Sequence, residues 1–345
     1  MVKISINGLE VQVEEGSTVF EAAEKAGIYI PTLCHHPDLS TFGACRVCMV
    51  EAGGRIVTAC RAPVEEGMVV RTDTEEVSRV RLVNVQLVLA NHNQDCQTCS
   101  RNGRCKLQEV SNFVGVNPEN MEGIRRSQVE QVIDDSNPFF HRDNSKCILC
   151  GICIRACEEI NGVSAIDFAN RGYQTSVSVV GDKPLLESKC ESCGECLERC
   201  PTGALYRREE ILPEREVESV CAYCGVGCGI YLGVRGEKVV SVRGNQDNPA
   251  NWGDLCVKGR FGFDFINHPD RLTTPLIKKN GKFEEATWEE ALGLVAEKIN
   301  KLRKEEGPQV LGGVSSARCT NEENYLFQKL FRSMGTNNVD HCARL

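Results

Sequence analysis

Hydrophobic and polar residues alternate with a period of two over residues 3–13, which read Lys-Ile-Ser-Ile-Asn-Gly-Leu-Glu-Val-Gln-Val. The alternation predicts two strands, and Asn7-Gly8 between them is a strong hairpin signal. Thr18-Val-Phe-Glu21 is a capping box that predicts a short helix to Gly27. With a further strand predicted at Ile56-Val57-Thr58, this segment has a small α+β layout.

A longer helix is predicted to run to about Asn91, capped by Asp73 with Glu76. Its apolar face at helical spacing includes Val77, Val80 and Leu87.

Two stretches separate the Cys-rich modules. Residues 111–145 are poor in Cys and are interpreted as a connector. Residues 207–219 are charged, contain Pro213 and are interpreted as a linker.

The last segment alternates helices and strands. Thr287-Trp-Glu-Glu290 caps an amphipathic helix that ends at Gly307-Pro308, residues 310–314 predict a short buried strand, and Thr320-Asn-Glu-Glu323 caps another helix. A strand at Asn338-Val339-Asp340 would then open a parallel α/β sheet. Because one βα unit cannot cover both faces of such a sheet, we expect the chain to stop in the middle of a domain.

Composition points to metal chemistry. The chain has 345 residues, 21 Cys and a net charge of −8. Residues 1–6, Met-Val-Lys-Ile-Ser-Ile, have no apolar signal-peptide core and no twin-arginine motif, and no apolar run reaches membrane-spanning length. We therefore expect a cytoplasmic protein whose thiols bind metal rather than form disulfides. The negative charge disfavours nucleic acid as a partner, and Arg125-Arg126 and Arg207-Arg208 are interpreted as solvated surface.

The first group of cysteines has a single C-x2-C pair flanked by one Cys on each side. This spacing predicts a [2Fe–2S] cluster, although a structural zinc site also takes four Cys and usually has two such pairs. Gly43 and Gly53-Gly54 suit a loop whose backbone amides approach the sulfurs. The predicted ligands are Cys34, Cys45, Cys48 and Cys60.

The second group has the spacing H-x3-C-x2-C-x5-C. Its three Cys lack the fourth ligand that a [4Fe–4S] cluster or a zinc ion needs, and the His supplies it. A neutral imidazole in place of a thiolate makes a cluster easier to reduce. The predicted ligands are His92, Cys96, Cys99 and Cys105.

The motif C-x2-C-x2-C-x3-C then occurs twice with a period of 43 residues, and Pro201 completes the second copy. In two-cluster ferredoxins the fourth Cys of such a run ligates the other cluster. We therefore assign one [4Fe–4S] cluster to Cys147, Cys150, Cys153 and Cys200. A second is assigned to Cys190, Cys193, Cys196 and Cys157.

The final set is C-x2-C-x3-C-x27-C, in a loop made tight by Gly225, Gly227 and Gly229, and predicts a further [4Fe–4S] cluster. Its ligands are Cys221, Cys224, Cys228 and Cys256. Cys319 and Cys342 remain and are interpreted as small buried hydrophobes. Five clusters with different ligand sets predict an electron-transfer wire. No Gly-rich dinucleotide fingerprint follows a predicted strand, so the NAD or flavin site is expected in a partner subunit.

These motifs resemble known families. Residues 1–207 resemble the electron-input region shared by the complex I iron–sulfur subunit, iron-only hydrogenases and NAD-linked formate dehydrogenases. The motifs that carry this resemblance are Gly43-Ala-Cys-Arg-Val-Cys48, the His92–Cys105 set and the paired repeat. The last Cys set followed by Val257-Lys258-Gly259 resembles the first domain of molybdenum/tungsten bis-pterin oxidoreductases. That resemblance implies that Lys258 bridges the cluster and the pterin.

Three later motifs are similar to formate dehydrogenase catalytic subunits: Val314-Ser-Ser-Ala-Arg318, Thr320-Asn-Glu-Glu-Asn-Tyr325 and Gly335-Thr-Asn-Asn-Val-Asp-His-Cys-Ala-Arg-Leu345. In that family the next residue is the metal-ligating selenocysteine or cysteine. We therefore expect no catalytic residue in this chain, and we expect the chain to be inactive alone. We also expect that it ends at Leu345 because a selenocysteine codon was read as a stop codon or because the sequence was deliberately cut there.

The resemblance implies an α+β multidomain architecture. The expected domains are a β-grasp, plant-type [2Fe–2S] ferredoxin domain at 1–78, a [4Fe–4S] domain with one His and three Cys ligands at 79–120, a two-[4Fe–4S] ferredoxin domain at 138–207, a small bis-pterin-type [4Fe–4S] domain at 214–270 and the start of an α/β pterin-binding domain at 271–345.

The implied activity is interconversion of formate and CO2, coupled through one [2Fe–2S] and four [4Fe–4S] clusters to NAD(P) or ferredoxin. The full-length protein would hold a molybdenum or tungsten bis-pterin guanine dinucleotide. Implied partners are a flavin- and NAD(P)-binding diaphorase-type subunit and small iron–sulfur subunits, with hydrogenase subunits as a further alternative. Two rivals stay open, another bis-pterin oxidoreductase such as a nitrate reductase, and a stand-alone electron-relay subunit.

Overall fold

The computed structural model describes residues 1–124 and 133–341, which divide into two compact units, Met1–Glu210 and Ile211–Leu345. Within the described ranges, no helix combines the length and the apolar character needed to cross a membrane. Arg125-Arg126 and Cys342 lie outside those ranges.

The first unit opens with a five-stranded sheet packed against one helix. The elements are β1 (Val2–Ile6), β2 (Leu9–Val13), α1 (Val19–Lys25), β3 (Met49–Ala52), β4 (Arg55–Thr58) and β5 (Val69–Arg71). The strand order is β2-β1-β5-β3-β4, with β1 and β5 parallel and the other pairs antiparallel. Ile6, Val19, Val50 and Val70 are fully buried in this core. The core anchors the Cys-rich loop that lies between α1 and β3.

The hairpin and the first capping box are confirmed. Asn7 and Gly8 form the turn between β1 and β2 at φ +52° and +84°, the left-handed region that these residues tolerate. Thr18 Oγ1 accepts from the backbone N–H of Glu21 at 3.2 Å, and the Glu21 carboxylate accepts from the backbone N–H of Thr18 at 2.7 Å.

Two helices follow, α2 (Glu75–Ala90) and α3 (Lys106–Val114). The cap of α2 is Thr74, whose Oγ1 accepts from the N–H of Val77 at 3.3 Å, so the prediction of Asp73 as the cap is wrong. Leu87 is 56% exposed, and its predicted place on the buried face is also wrong. The buried face of α2 contains polar side chains, so the spacing of its apolar residues alone does not reveal it. It consists of Val77, Arg81, Val85 and Gln86.

Short elements make up the rest of the first unit. They are β6 (Ile133–Asp134), β7 (Phe140–Asp143), α4 (Ile152–Arg155), β8 (Asp167–Ala169), β9 (Ser176–Ser178), α5 (Glu195–Arg199) and β10 (Leu205–Arg207). β10, β7 and β6 form one antiparallel sheet, and β8 pairs with β9. The predicted connector therefore contains two paired strands, because scarcity of Cys carries no information about strand pairing. Arg207 is only 17% exposed and pairs with Glu198, so it is not the solvated surface residue predicted.

The second unit begins with a three-stranded antiparallel sheet and a short helix: β11 (Arg215–Val220), β12 (Gly229–Arg235), β13 (Lys238–Gly244) and α6 (Val257–Phe261). Residues 215–219 of β11 lie within the predicted linker, so that prediction is wrong for these residues. Two of its acidic side chains accept hydrogen bonds from the far side of the sheet. Glu216 accepts from Arg243 Nε at 2.6 Å, and Glu218 accepts from Asn245 Nδ2 at 2.8 Å. Because β11 buries no residue, it lacks the hydrophobic alternation that reveals a strand.

The last elements are β14 (Leu276–Lys279), β15 (Lys282–Glu285), α7 (Trp288–Glu306), β16 (Gly313–Ser315), α8 (Asn321–Ser333) and β17 (Val339–His341). Thr287 and Thr320 form the two predicted capping boxes. β16 and β17 are parallel, which confirms the predicted opening of a parallel α/β arrangement. The strand predicted over 310–314 is shorter than expected, because Pro308–Val310 forms a 3-10 turn, and it is not buried, since Val314 is 75% exposed.

Candidate iron–sulfur sites

The first predicted site lies in the loop between α1 and β3 and is closed by Cys60 after β4. Its thiols form two pairs. Cys48 Sγ lies 3.4 Å from Cys60 Sγ, and the side chains of Cys34 and Cys45 are hydrogen-bonded to each other. A tetrahedral metal with bonds of about 2.3 Å to sulfur separates two sulfurs by roughly 3.8 Å. Two such pairs fit the two irons of a [2Fe–2S] cluster.

Backbone amides surround the Cys34 thiol. The N–H of Cys45 donates to Cys34 Sγ at 3.5 Å, and the amides of Gly43 and Ala44 also bond to it. The hydrogen bond from the Cys45 side chain and these amides together lower the pKa of Cys34 to about 6, against the opposing effect of burial. The predicted role of Gly43 is confirmed. Gly53-Gly54 instead forms the turn between β3 and β4, at φ +57° and +75°, so its predicted role beside the sulfurs is wrong.

The second site is a cavity of about 670 Å³ between the end of α2 and the start of α3. Burial lowers the pKa of His92 to about 4, so its imidazole is neutral near pH 7. Its Nδ1 is buried without a hydrogen-bond partner. A neutral, unpartnered ring nitrogen beside three thiols has the donor chemistry of a fourth ligand. The predicted ligands that line the cavity are His92, Cys96, Cys99 and Cys105.

Two further cavities each collect four thiols from both copies of the repeat. The first is lined by Cys147, Cys150, Cys153 and Cys200. The second is lined by Cys190, Cys193, Cys196 and Cys157. In each, the fourth thiol comes from the other copy, as the exchange of ligands in two-cluster ferredoxins requires.

The repeat is also visible in the backbone. Leu149 and Ser192 precede the second Cys of each copy at φ +54° and +55°, and Gly151 and Gly194 follow it at φ +69° and +82°. The N–H groups of Leu149 and Ser192 each donate to the first Cys thiol of their copy at 3.4 Å. α4 and α5 start directly after the two glycines. The two copies therefore form matching cradles.

Burial makes these thiols hard to ionise. It raises the pKa of Cys147 to about 11 and the pKa values of Cys153 and Cys196 well above the usual range. Such thiols become anionic ligands only when a bound metal replaces the proton and supplies positive charge. The cavities therefore suit metal clusters better than free thiolates.

The sites of the first unit share walls. Cys34 and Cys150 belong to the same buried hydrophobic cluster, which joins the first site to the first ferredoxin cavity. Arg142, Ile166 and Leu205 line both ferredoxin cavities. Little protein therefore separates neighbouring sites.

The site that contains His92 meets the same ferredoxin module just after Cys200. Cys105 Sγ lies 3.8 Å from the carbonyl oxygen of Pro201. A Cβ added at Gly203 would lie only 2.4 Å from Cys99 Sγ. The glycine allows the backbone of the ferredoxin module to approach that thiol closely.

The site in the second unit is more open. Burial and then the neighbouring thiols raise the pKa values of Cys221 and Cys228, and the neighbours acting on Cys228 include Cys224 and Cys256, so the four predicted ligands lie close together. Cys256 directly precedes α6, on which Lys258 is exposed. The bridging role of Lys258 remains a prediction.

The chemistry of the donor atoms is the reason that these residues fit iron–sulfur clusters. Every cysteine in residues 1–124 and 133–341 is a free thiol, Cys319 among them and half-buried. The same ranges contain no group of three or more His, Cys, Asp or Glu side chains arranged around a single metal ion. The grouped thiols and the unpartnered His92 nitrogen fit iron–sulfur clusters, and the ligand assignments remain predictions.

Sequence reasoning did not identify two residues that contact the sites, Gly203 and Arg155. Gly203 is marked only by its place after Pro201. Arg155 could have been found by comparing the copies of the repeat, because Glu198 occupies the same position in the second copy.

Five domain models match the chain. They are the 2Fe-2S iron-sulfur cluster binding domain (residues 1–75), the NADH-ubiquinone oxidoreductase-G iron-sulfur binding region (81–119), the 4Fe-4S dicluster domain (146–204), the Molybdopterin oxidoreductase Fe4S4 domain (214–268) and Molybdopterin oxidoreductase (271–345). These matches bear out the prediction of [2Fe–2S], [4Fe–4S] and molybdopterin-binding domains.

Curated relatives match over the whole chain. It is 38% identical to the NADPH-Fe(3+) oxidoreductase subunit alpha of Geobacter sulfurreducens, over 100% of this chain and 40% of the relative. It is 31% identical to "Putative formate dehydrogenase YrhE" of Bacillus subtilis, over 99% of this chain and 40% of the relative. The chain thus spans about 40% of the length of these relatives.

Among solved structures, a chain of an NAD+-reducing NiFe hydrogenase in the H2-reduced state is similar, with a TM-score of 0.56 and 31% identity. The match covers 60% of this chain and 87% of that chain. Taken with the domain matches, these similarities show iron–sulfur domains ahead of a segment that matches the Molybdopterin oxidoreductase model.

Proposed function

We propose that this chain relays single electrons through five iron–sulfur clusters in a cytoplasmic formate dehydrogenase, between a molybdenum- or tungsten-pterin centre and an NAD(P)-linked partner subunit. Oxidation of formate to CO2 releases two electrons and one proton, and iron–sulfur clusters supply carriers that each take one electron. The observation that carries the relay is the set of shared walls between the Cys-lined sites of Met1–Glu210.

The chain's own residues hold and separate the carriers in this proposal. Cys34 and Cys150 bring the [2Fe–2S] site beside the first ferredoxin site, and the exchanged ligands Cys157 and Cys200 tie the two ferredoxin sites together. In the second unit, Lys258 lies two residues after the last Cys of its group and would contact the pterin in this proposal. Differences in ligand type, burial and hydrogen bonding give the sites different potentials.

Formate as the substrate is supported by the three motifs in residues 314–345 and by the 31% identical formate dehydrogenase relative. A second candidate is favoured by the 38% identical relative, whose name gives NADPH and Fe(3+) as its reactants. In that case the same clusters would receive electrons from NADPH through a partner subunit and formate would have no role.

Metal analysis tests the relay. Anaerobically prepared chain should contain about 18 irons, from one [2Fe–2S] and four [4Fe–4S] clusters. Cys196→Ser should lose about four of them, whereas the matched change Cys319→Ser, outside every ligand group, should lose none. Zinc in place of iron, or equal iron in the two variants, would contradict the proposal.

Reduction of the clusters tests the substrate. The full-length protein, assembled with its partner subunits, is mixed anaerobically with formate or with NADPH, and bleaching of the iron–sulfur absorbance is followed. Bleaching by formate supports the formate dehydrogenase. Bleaching by NADPH and none by formate would replace it with the second candidate and leave the relay intact.

A further inference from the structure

A buried arginine connects the [2Fe–2S] loop with the first ferredoxin site. Arg155, the last residue of α4, is only 6% exposed. Its Nη2 donates to the carbonyl oxygen of Cys34 at 2.7 Å and lies 3.5 Å from the carbonyl oxygen of Cys150. One nitrogen atom therefore contacts a predicted ligand residue of each cluster.

The other nitrogens of the guanidinium hold the same two loops. Nε donates to the carbonyl oxygen of Gly151 at 3.3 Å, and Nη1 donates to the carbonyl oxygen of Ser40. The guanidinium carbon lies 5.5 Å from the ring centre of Phe42, which stacks on Phe168 at 6.0 Å. All three guanidinium nitrogens of Arg155 are therefore hydrogen-bonded to the two loops.

The charge of Arg155 differs from that of the other cations near these sites. Three of them are paired with carboxylates: Arg142 with Asp134 at 3.2 Å, Lys146 with Asp143 at 3.2 Å and Arg199 with Asp38 at 3.1 Å. Arg155 has no ion pair within the described ranges, and its hydrogen bonds all go to neutral carbonyl groups. The nearby Glu159 carboxylate interacts electrostatically with Arg155, but it is exposed to water and accepts hydrogen bonds from Ser40.

We propose that Arg155 sets the reduction potentials of the two neighbouring clusters together, by placing one buried positive charge between them. A guanidinium remains protonated in proteins. Reduction adds negative charge to a cluster, and a buried cation stabilises that charge far more than a cation screened by water. The reduced forms of both clusters are therefore favoured together, which raises both reduction potentials.

This inference rests on the proposed relay, because it needs both clusters. The test is a potentiometric titration of the iron-loaded protein, followed by electron paramagnetic resonance. The [2Fe–2S] signal is separated from [4Fe–4S] signals by its slower relaxation. The signal of the first ferredoxin cluster is identified as the one lost in Cys147→Ala.

Arg155→Gln keeps a hydrogen-bonding side chain and removes the charge. We expect it to shift the equilibrium between reduced and oxidised forms about tenfold towards oxidised in both clusters, which is about 59 mV for one electron. Arg81→Gln is the matched control. Arg81 is also buried, at 4% exposure, but donates to Met49 beside the first site, and its charge acts on Cys48. It should shift only the [2Fe–2S] cluster.

Arg155→Lys keeps the charge and loses the planar fork. Potentials close to those of the wild type support the proposal, and potentials as low as in Arg155→Gln would show that the fork matters and not the charge. Shifts below twofold in Arg155→Gln, or a shift in one cluster only, would overturn it. If Arg155→Gln loses its clusters, Arg155→Lys decides alone, and loss of clusters there too would also overturn the proposal. Wild-type protein without iron would instead contradict the relay itself.

Discussion

Gly203 offers a direct test of whether Cys99 is held by a cluster. A Cβ at this position would lie 2.4 Å from Cys99 Sγ, whereas ordinary contacts of a Cβ begin at 3.4 Å. In Gly203→Ala the sulfur must therefore retreat by about 1 Å. A free thiol can do so by rotating to another staggered rotamer at little cost. A sulfur bonded to iron cannot rotate without breaking that bond.

The two cases predict different outcomes. If Cys99 is a ligand, forcing a methyl group into this contact should cost about 1–3 kcal/mol, or roughly a tenfold to hundredfold weaker hold on the cluster that His92 and Cys99 share. Gly203→Ala should then lose about four irons per chain, or retain them with an altered resonance signal from that cluster alone. Iron content and electron paramagnetic resonance spectra of anaerobically prepared protein measure both.

Gly293 in α7 provides the matched control, because a Cβ there would meet nothing within 4 Å. Gly293→Ala should keep the wild-type iron content and raise the free energy of unfolding by about 0.5–1 kcal/mol, since alanine favours helix over glycine. Full iron and an unchanged spectrum in Gly203→Ala would contradict the assignment of Cys99 as a ligand, because they would mean that its sulfur is free to move.

Three further predictions follow from single contacts. Thr287→Ala removes the capping box with Glu290 and should lower the free energy of unfolding by about 1 kcal/mol, measured by urea titration; no change would mean that α7 does not depend on its cap. The hydrogen bond from Arg243 lowers the pKa of Glu216. Because this ion pair is exposed, it should contribute at most about 1 kcal/mol to the free energy of unfolding. That contribution is present at neutral pH and is lost as the pH falls through the lowered pKa of Glu216. Wild type and Glu216→Gln should thus differ at pH 7 and converge in acid, and a difference that grows in acid would contradict the sign. His92→Cys should retain the cluster and lower its potential, because a thiolate replaces a neutral ligand, while an unchanged potential would exclude His92 as the ligand.

The sequence predicted those features whose interactions are local. The Asn7-Gly8 turn and the capping boxes at Thr18, Thr287 and Thr320 depend on backbone conformation and hydrogen bonds within four residues, and all four are present. The grouping of thiols could be predicted for a related reason. Cluster ligands spaced two or three residues apart must lie on one tight loop whatever surrounds them.

Features that depend on distant segments could not be predicted in the same way. β11 buries no side chain and is a strand because β12 pairs with it, so its own residues look like a linker. The place of Gly203 beside Cys99 joins residues more than 100 positions apart, and neither residue carries a sign of it. Arg155 contacts Cys34, which is 121 residues away. Spacing rules describe a ligand set, and they contain no information about what packs against it.

Comparison of the two copies of the ferredoxin repeat separates the local features, which spacing predicts, from the contacts with distant segments, which it does not. Their predicted ligands and left-handed loop residues coincide, so each copy forms the same cradle and is expected to hold the same type of cluster. The residues between the ligands differ. Arg155 in the first copy reaches the [2Fe–2S] loop, while Glu198 at the same position pairs with Arg207. Since cluster potentials depend on nearby charge and burial, two identical cradles can serve different steps of one relay only through such differences. In the proposed relay, we therefore expect the order of electron transfer to be set at positions where the copies diverge, rather than at the cysteines.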